Sequence, residues 1–293
     1  MNENRKNLND YPLLSGILIT TIFSIILSIN LIIRVGDICY DAGFPEIMIL
    51  LTDFSVRFLS GAIVVILIIP FILNFSKKHI SLKEYFKDDI RLTKGVSING
   101  TIFVGIISAL CFFLICSIIA LALGVFNLDF GILFSNPDTG NVGWFIFFYA
   151  LIPGIWEEMT FRGVILNTIR EKYSEKIAIL FSSLLFGLFH FTNLLFQPLE
   201  MVVFYFIMST LYGITWAYMV IKSGSVLPSI LAHYLIDAFG YAVLTNPMKA
   251  DQSIAGPFFI VTTLLYPFIT ILMVKGLSKS TKIFSYNSVK GKK

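Results

Sequence analysis

The chain alternates between long apolar runs and short polar breaks. Apolar stretches fall at 13–33, 47–73, 101–126, 143–168, 177–197, 200–221, 226–244 and 257–274, each close to the roughly 20 residues that a bilayer-spanning helix needs. This pattern predicts an all-α polytopic membrane protein with about eight transmembrane helices. The fourth and seventh runs are the least purely apolar. Polar stretches of any length occur only at 76–97 and from 275 onward. The organisation expected is therefore a single membrane domain over 1–293, with motif-bearing helices at 143–244 and a basic tail at 275–293. No internal repeat is visible. The first run follows Arg5 and Lys6 as the core of a signal peptide would, yet it is longer than such a core and has no small-x-small cleavage site. It reads as a retained first span.

Composition agrees with this pattern. Hydrophobic residues make up 56% of the chain and charged residues only 14%, against about 25% charged in soluble domains. The positions of the charges matter more than the net +4. Arg5 and Lys6 precede the first run, Lys77, Lys78, Lys83, Lys87, Arg91 and Lys94 separate the second from the third, and Arg170, Lys172 and Lys176 follow the fourth. Lys222 follows the sixth, and six lysines from Lys275 to Lys293 form the tail. The opposite connections hold Arg34 and Lys249, apart from Arg57 near the outer mouth of the second span. Positively charged connections stay on the cytoplasmic side, so both termini are expected to be cytoplasmic. One helix more or fewer would invert every later loop.

The basic tail and the 76–97 loop read as juxtamembrane charge facing lipid headgroups; no nucleic-acid motif accompanies them, and the sequence assigns no oligomeric state. Cys39, Cys111 and Cys116 form no CxxC pair, which removes a disulfide framework and a thiolate metal site. Arg57 stands one turn after Asp53 and reads as a snorkelling pair outside any site. Tyr11, Trp144 and Tyr266 read as packing and interface aromatics.

The segment Gly154-Ile155-Trp156-Glu157-Glu158-Met159-Thr160-Phe161-Arg162-Gly163 places two carboxylates and an arginine near the middle of the fourth run. Ionisable groups at that depth cost about 2.5–3.5 kcal/mol each on insertion scales and face a protein interior or a wet cavity. Glu158 and Arg162 are four residues apart and share a helix face, as an ion pair requires. Glu157 points about 100° away from its neighbour and is free for another role. Pro153 deletes a backbone hydrogen bond to Tyr149 and, with Gly154, permits a kink just before the pair. In the fifth run His190 lies at membrane depth with Asn193 one turn on. In the seventh, His233 and Asp237 are four apart, the spacing at which a carboxylate fixes an imidazole or both ligate a metal. A glutamate, two imidazoles and an aspartate converging in a low-dielectric cavity form a hydrolytic constellation: the carboxylate takes a proton from water while imidazoles serve the oxyanion or the leaving amine.

The ordered set Glu157-Glu158-x-x-x-Arg162, Phe186-x-x-x-His190 and His233-x-x-x-Asp237, on successive helices, resembles the CPBP family, the CAAX protease and bacteriocin-processing (Abi) intramembrane glutamic endopeptidases. The resemblance covers about 143–244. It implies that Glu157 activates water, that Glu158 and Arg162 support the site, that His190 assists water activation, and that His233 with Asp237 binds the tetrahedral oxyanion. The family often has Asn where this chain has Asp237; an ionised carboxylate repels an oxyanion, so Asp237 is expected to orient His233 or to stay protonated. Bacterial relatives are linked to peptide maturation, bacteriocin self-immunity and membrane-protein processing, whereas eukaryotic relatives trim prenylated proteins. The Ile-, Lys-, Asn- and Phe-rich composition points to a bacterial member in the cytoplasmic membrane.

The expectation is thus a metal-independent intramembrane endopeptidase, without cofactor, acting on a peptide or membrane-protein substrate. No serine sits in a nucleophile elbow, and neither membrane cysteine has an activating partner. Two alternatives stand beside it. Glu157, His190, His233 and Asp237 are types that suit zinc, although HExxH is absent. The same groups would also serve as a proton relay in a proton-coupled transporter, or line a peptide-binding immunity protein.

Overall fold

A computed structural model describes residues 8–73, 81–92, 98–134 and 143–279. Among them there is no strand, and each of the eight apolar runs becomes a helical rod. These are α1 (Pro12–Asp41), α2 (Glu46–Ile72), α3 (Ile98–Ala122), α4 (143–170), α5 (Glu175–Leu195), α6 (Leu199–Ser223), α7 (Leu227–Lys249) and α8 (Gln252–Leu277). Six are long and apolar enough to cross a membrane. α4 and α7 carry two of the three polar motifs, α5 carries the third, and the winding of α4 is interrupted. The chain is a multi-pass, all-α membrane protein.

Local chemistry fixes the rod ends. Pro12 and Pro228 occupy first-turn positions, where the missing N–H has no intrahelical partner to lose. Ser174 accepts from the Ile177 N–H at the start of α5, and Asp251 accepts from the Ser253 N–H at the start of α8. Gly224 ends α6 with φ 74°, the left-handed stop that glycine adopts without penalty.

α4 is the irregular rod. Ordinary turns at Ile146–Tyr149 give way to π-helical turns over Ile152–Glu157 and Met159–Ile165 before Leu166–Arg170 resumes α-helix. Pro153 lies in the first of these widened turns, so the proline is accommodated by the i→i+5 hydrogen-bond pattern rather than by the simple kink the sequence allows. Both carboxylates of the motif sit at this distorted place.

The connections sort onto two faces. Lys172, after α4, pairs with Asp10 before α1 at 3.3 Å. Asn167 Nδ2 donates to the Asp89 carbonyl at 3.2 Å, and Val226 N donates to the Arg91 carbonyl at 3.1 Å. The start of α1 and the connections α2–α3, α4–α5 and α6–α7 therefore meet on one face, the alternation that the lysines and arginines predict. On the other face Asp129 N donates to the carbonyl of Ala242. The basic tail beyond residue 279 lies outside the described residues, as do Lys77, Lys78 and Lys94.

Between the rods the core is aromatic and aliphatic, with Phe23, Phe161 and Phe186 fully buried. Tyr266 is also fully buried, so of the packing and interface roles read from the sequence it takes the packing one. Its hydroxyl lies 2.9 Å from Ser108 Oγ and accepts from Trp216 Nε1 at 3.0 Å, joining α8 to α3 and α6. Trp144 and Tyr11 stay partly exposed.

Candidate active site

The two glutamates of α4 are divided between two jobs by the packing of their neighbours. Glu158 and Arg162 are fully buried, with Oε1 to Nη1 at 3.0 Å. The same Glu158 oxygen lies 2.9 Å from His233 Nδ1 on α7. Removing water from such charges is costly, and the site offsets that cost in several ways at once. The Arg162 guanidinium lies over the Phe186 ring, 3.9 Å from its centroid, and 5.3 Å from that of Trp216, a geometry in which the ring quadrupole replaces part of the lost hydration. Arg162 fits because residue 213 is glycine. A Cβ there would stand 3.0 Å from Arg162 Nη2 and 3.0 Å from Ser183 Cβ.

His233 is held on three sides. Nδ1 faces Glu158, Nε2 lies 3.4 Å from Asp237 Oδ2 one turn along α7, and the Trp216 ring stacks on the imidazole at 4.3 Å between centroids. Carboxylate oxygens on both ring nitrogens fit an imidazole donating from both. Asp237 thus stands beside the His233 ring, at the four-residue spacing seen in the sequence.

Glu157 is turned the other way. Among the described residues its carboxylate makes no hydrogen bond or ion pair, and it lines a cavity of about 590 Å³ together with His190, Asn193, Trp216, His233 and Asp237. A glycine brings its helix close to α7: a Cβ on Gly154 would meet Tyr234 Cβ at 3.0 Å and its Cα at 3.2 Å. His190 sits at the point where α5 tightens into a 3₁₀ turn over His190–Leu195. Its Nδ1 lies 2.9 Å from the Phe186 carbonyl. A carbonyl only accepts, so Nδ1 carries the proton and Nε2 is the nitrogen left for the cavity. All seven residues singled out from sequence thus belong to one cluster. Glu157, His190, Asn193, His233 and Asp237 face the cavity, and Glu158 and Arg162 lie behind it.

With this geometry the comparison with known families is specific. Residues 139–239 match the Rce1-like family, described as type II CAAX prenyl endopeptidase. The match spans α4 to most of α7, which is where the motifs lie. An Rce1-like domain implies a peptide-bond hydrolase and supports an intramembrane endopeptidase. No curated protein and no solved structure matches the chain.

Three residues at or around the cavity escaped the sequence reading. Trp216 and Gly213 shape the pocket around His233 and Arg162, and their only sequence signal is an aromatic and a glycine within an apolar helix. Arg57 is the third. It does pair with Asp53, at 2.8 Å, and Tyr149 donates to the same carboxylate at 2.8 Å, but Arg57 and Tyr149 also line the cavity. The pair read from the sequence is present, but Arg57 lines the cavity, whereas the sequence reading places it outside.

Proposed function

We propose that the protein is a glutamate-dependent intramembrane endopeptidase in a bacterial cell membrane, cleaving a peptide or membrane-protein substrate by direct attack of water. The observation that carries this reading is the division within the Glu pair. Glu158 is committed to Arg162 and His233, and of the two glutamates it is Glu157 that presents its carboxylate to the cavity that the imidazoles share. Glu157 takes a proton from water as the water oxygen bonds to the scissile carbonyl carbon, whose π electrons move onto oxygen. His190 Nε2, an acceptor by virtue of the Nδ1 bond to Phe186, helps to orient the water. The developing oxyanion is served by His233, whose Nε2–H turns from Asp237 to the substrate oxygen. Collapse reforms the carbonyl, breaks the C–N bond, and returns the proton from Glu157 to the departing amine.

Metal independence is part of this proposal. Both nitrogens of His233 already face carboxylates, and among the described residues no group of three His, Cys, Asp or Glu side chains is arranged to hold a metal ion. The cysteines of α3 do not line the cavity, which favours direct water attack over a thiolate nucleophile. The biological setting that fits is peptide maturation or self-immunity against a bacteriocin. The test is cleavage of a membrane-peptide library by wild type and Glu157→Gln purified in detergent, with and without a chelator, alongside elemental analysis for zinc. Chelator-resistant cleavage that vanishes in Glu157→Gln supports the reading; undiminished cleavage by Glu157→Gln overturns it.

A further inference from the structure

The cavity is lopsided along the membrane normal. Trp216 and His233 are the lining residues nearest the face of the basic connections. His233 lies only six residues from the start of α7, about 9 Å from the face of the basic connections at 1.5 Å per residue. The remaining lining residues climb away from that face. On α1 they are Leu27, Asn30 and Leu31, near the end of the helix that points away from Pro12; on α4 they run back from Pro153 to Ile146; on α5 they reach Thr192 and Asn193, past the end of its α-helical part. α6 and α8, which start on the same far face, contribute Met208 and Phe259 from their first halves. Polar groups follow the same path, since Asn30, Arg57, Tyr149, Thr192 and Asn193 all stand on the far side of Glu157. On the near side, Ile165, Leu166 and Ile169 of α4 are fully buried in packed core.

We infer that the site receives its substrate from the face opposite the basic connections, which is the extracytoplasmic face, so that the scissile bond belongs to a peptide segment presented from outside the membrane. The inference rests on the active-site reading of Glu157 and adds the side of entry to it. A cavity whose polar lining stands toward the outer face gives such a segment partners for its backbone groups, which lipid would leave unsatisfied, whereas a cytoplasmic tail would have to cross the packed half of the bundle.

Cysteine accessibility in a bacterial inner membrane tests this without any cleavage. A version with Cys39, Cys111 and Cys116 replaced by serine receives single cysteines: Thr192→Cys and Leu31→Cys in the cavity, and Lys176→Cys on the α4–α5 connection. Each is exposed to a membrane-impermeant maleimide in intact spheroplasts and in inverted vesicles, with detergent-solubilised protein defining full labelling. The expected result is at least tenfold faster labelling of both cavity cysteines in spheroplasts, with Lys176→Cys labelled only in inverted vesicles. Cavity cysteines labelled only in inverted vesicles, or from neither side, overturn the inference, as does Lys176→Cys labelled in spheroplasts. Repeating the series with Glu157→Gln gives the same pattern if entry is as inferred, so failure of the catalytic reading remains distinguishable from failure of the entry side.

Discussion

His233 Nδ1 lies 2.9 Å from Oε1 of Glu158, the second glutamate of the pair and not the first. The same oxygen is 3.0 Å from Arg162 Nη1. One carboxylate oxygen thus joins α7 to α4 and neutralises a fully buried guanidinium, and Glu158 is in consequence unavailable to a substrate. Glu157, by contrast, makes no hydrogen bond or ion pair among the described residues and lines the cavity.

Glu157→Gln keeps the size of the side chain and removes the base. Its turnover is expected to fall by about 10²–10⁴-fold, with unchanged accumulation in the membrane and an unchanged elution profile in detergent. The assay is initial-rate cleavage of any peptide that the wild type cuts.

Arg162→Ala leaves Glu158 buried without its guanidinium. Breaking such a pair costs about 3–5 kcal/mol, so the expected outcome is a lower midpoint of thermal unfolding in detergent and reduced membrane accumulation. Arg162→Lys is expected to recover only part of the loss, because a compact ammonium does not reproduce the planar stack on Phe186. Thermal unfolding of the three proteins side by side measures the order wild type, Lys, Ala.

Asp237 accepts from His233 Nε2. Asn offers a carbonyl oxygen at the same place, so Asp237→Asn is expected to retain cleavage within about tenfold of wild type, whereas Asp237→Ala, which frees the ring, loses about 10²-fold. Initial-rate cleavage by wild type and the two variants checks this order.

Tyr266→Phe removes a hydroxyl that meets Ser108 and Trp216 in the fully buried layer beneath His233. An indole N–H left without its acceptor costs about 1–3 kcal/mol. The expected outcome is a measurable drop in unfolding midpoint together with weaker cleavage through displacement of the Trp216 ring. A variant that loses stability but cleaves normally would show that the ring stack does not position His233.

How much of this was legible in the chain differs residue by residue. The three motifs and their helices could be read because four-residue spacing puts side chains on one face whatever lies around them. Trp216 could not, since a tryptophan in an apolar run looks the same whether it faces lipid or an imidazole. The Arg57–Asp53 pair was legible because an i,i+4 partner is visible in sequence, but the place of Arg57 on the cavity lining was not. Tyr266 was legible as an aromatic for packing or an interface, and what it packs on was not, because its two hydroxyl partners lie 158 and 50 residues away.

The sequence by itself determined the class of the protein, because the cost of placing polar groups in hydrocarbon forces apolar runs of spanning length, and it determined the chemical vocabulary of the site, because ionisable residues at that depth are rare. What the tertiary structure alone decided is what each carboxylate meets, His233 as well as Arg162 for Glu158 and the cavity for Glu157, and toward which face that cavity extends. Two adjacent residues always diverge on a helix, but their environments are set by α5, α6 and α7 packing against the widened turns of α4, and such long-range packing leaves no trace in local spacing.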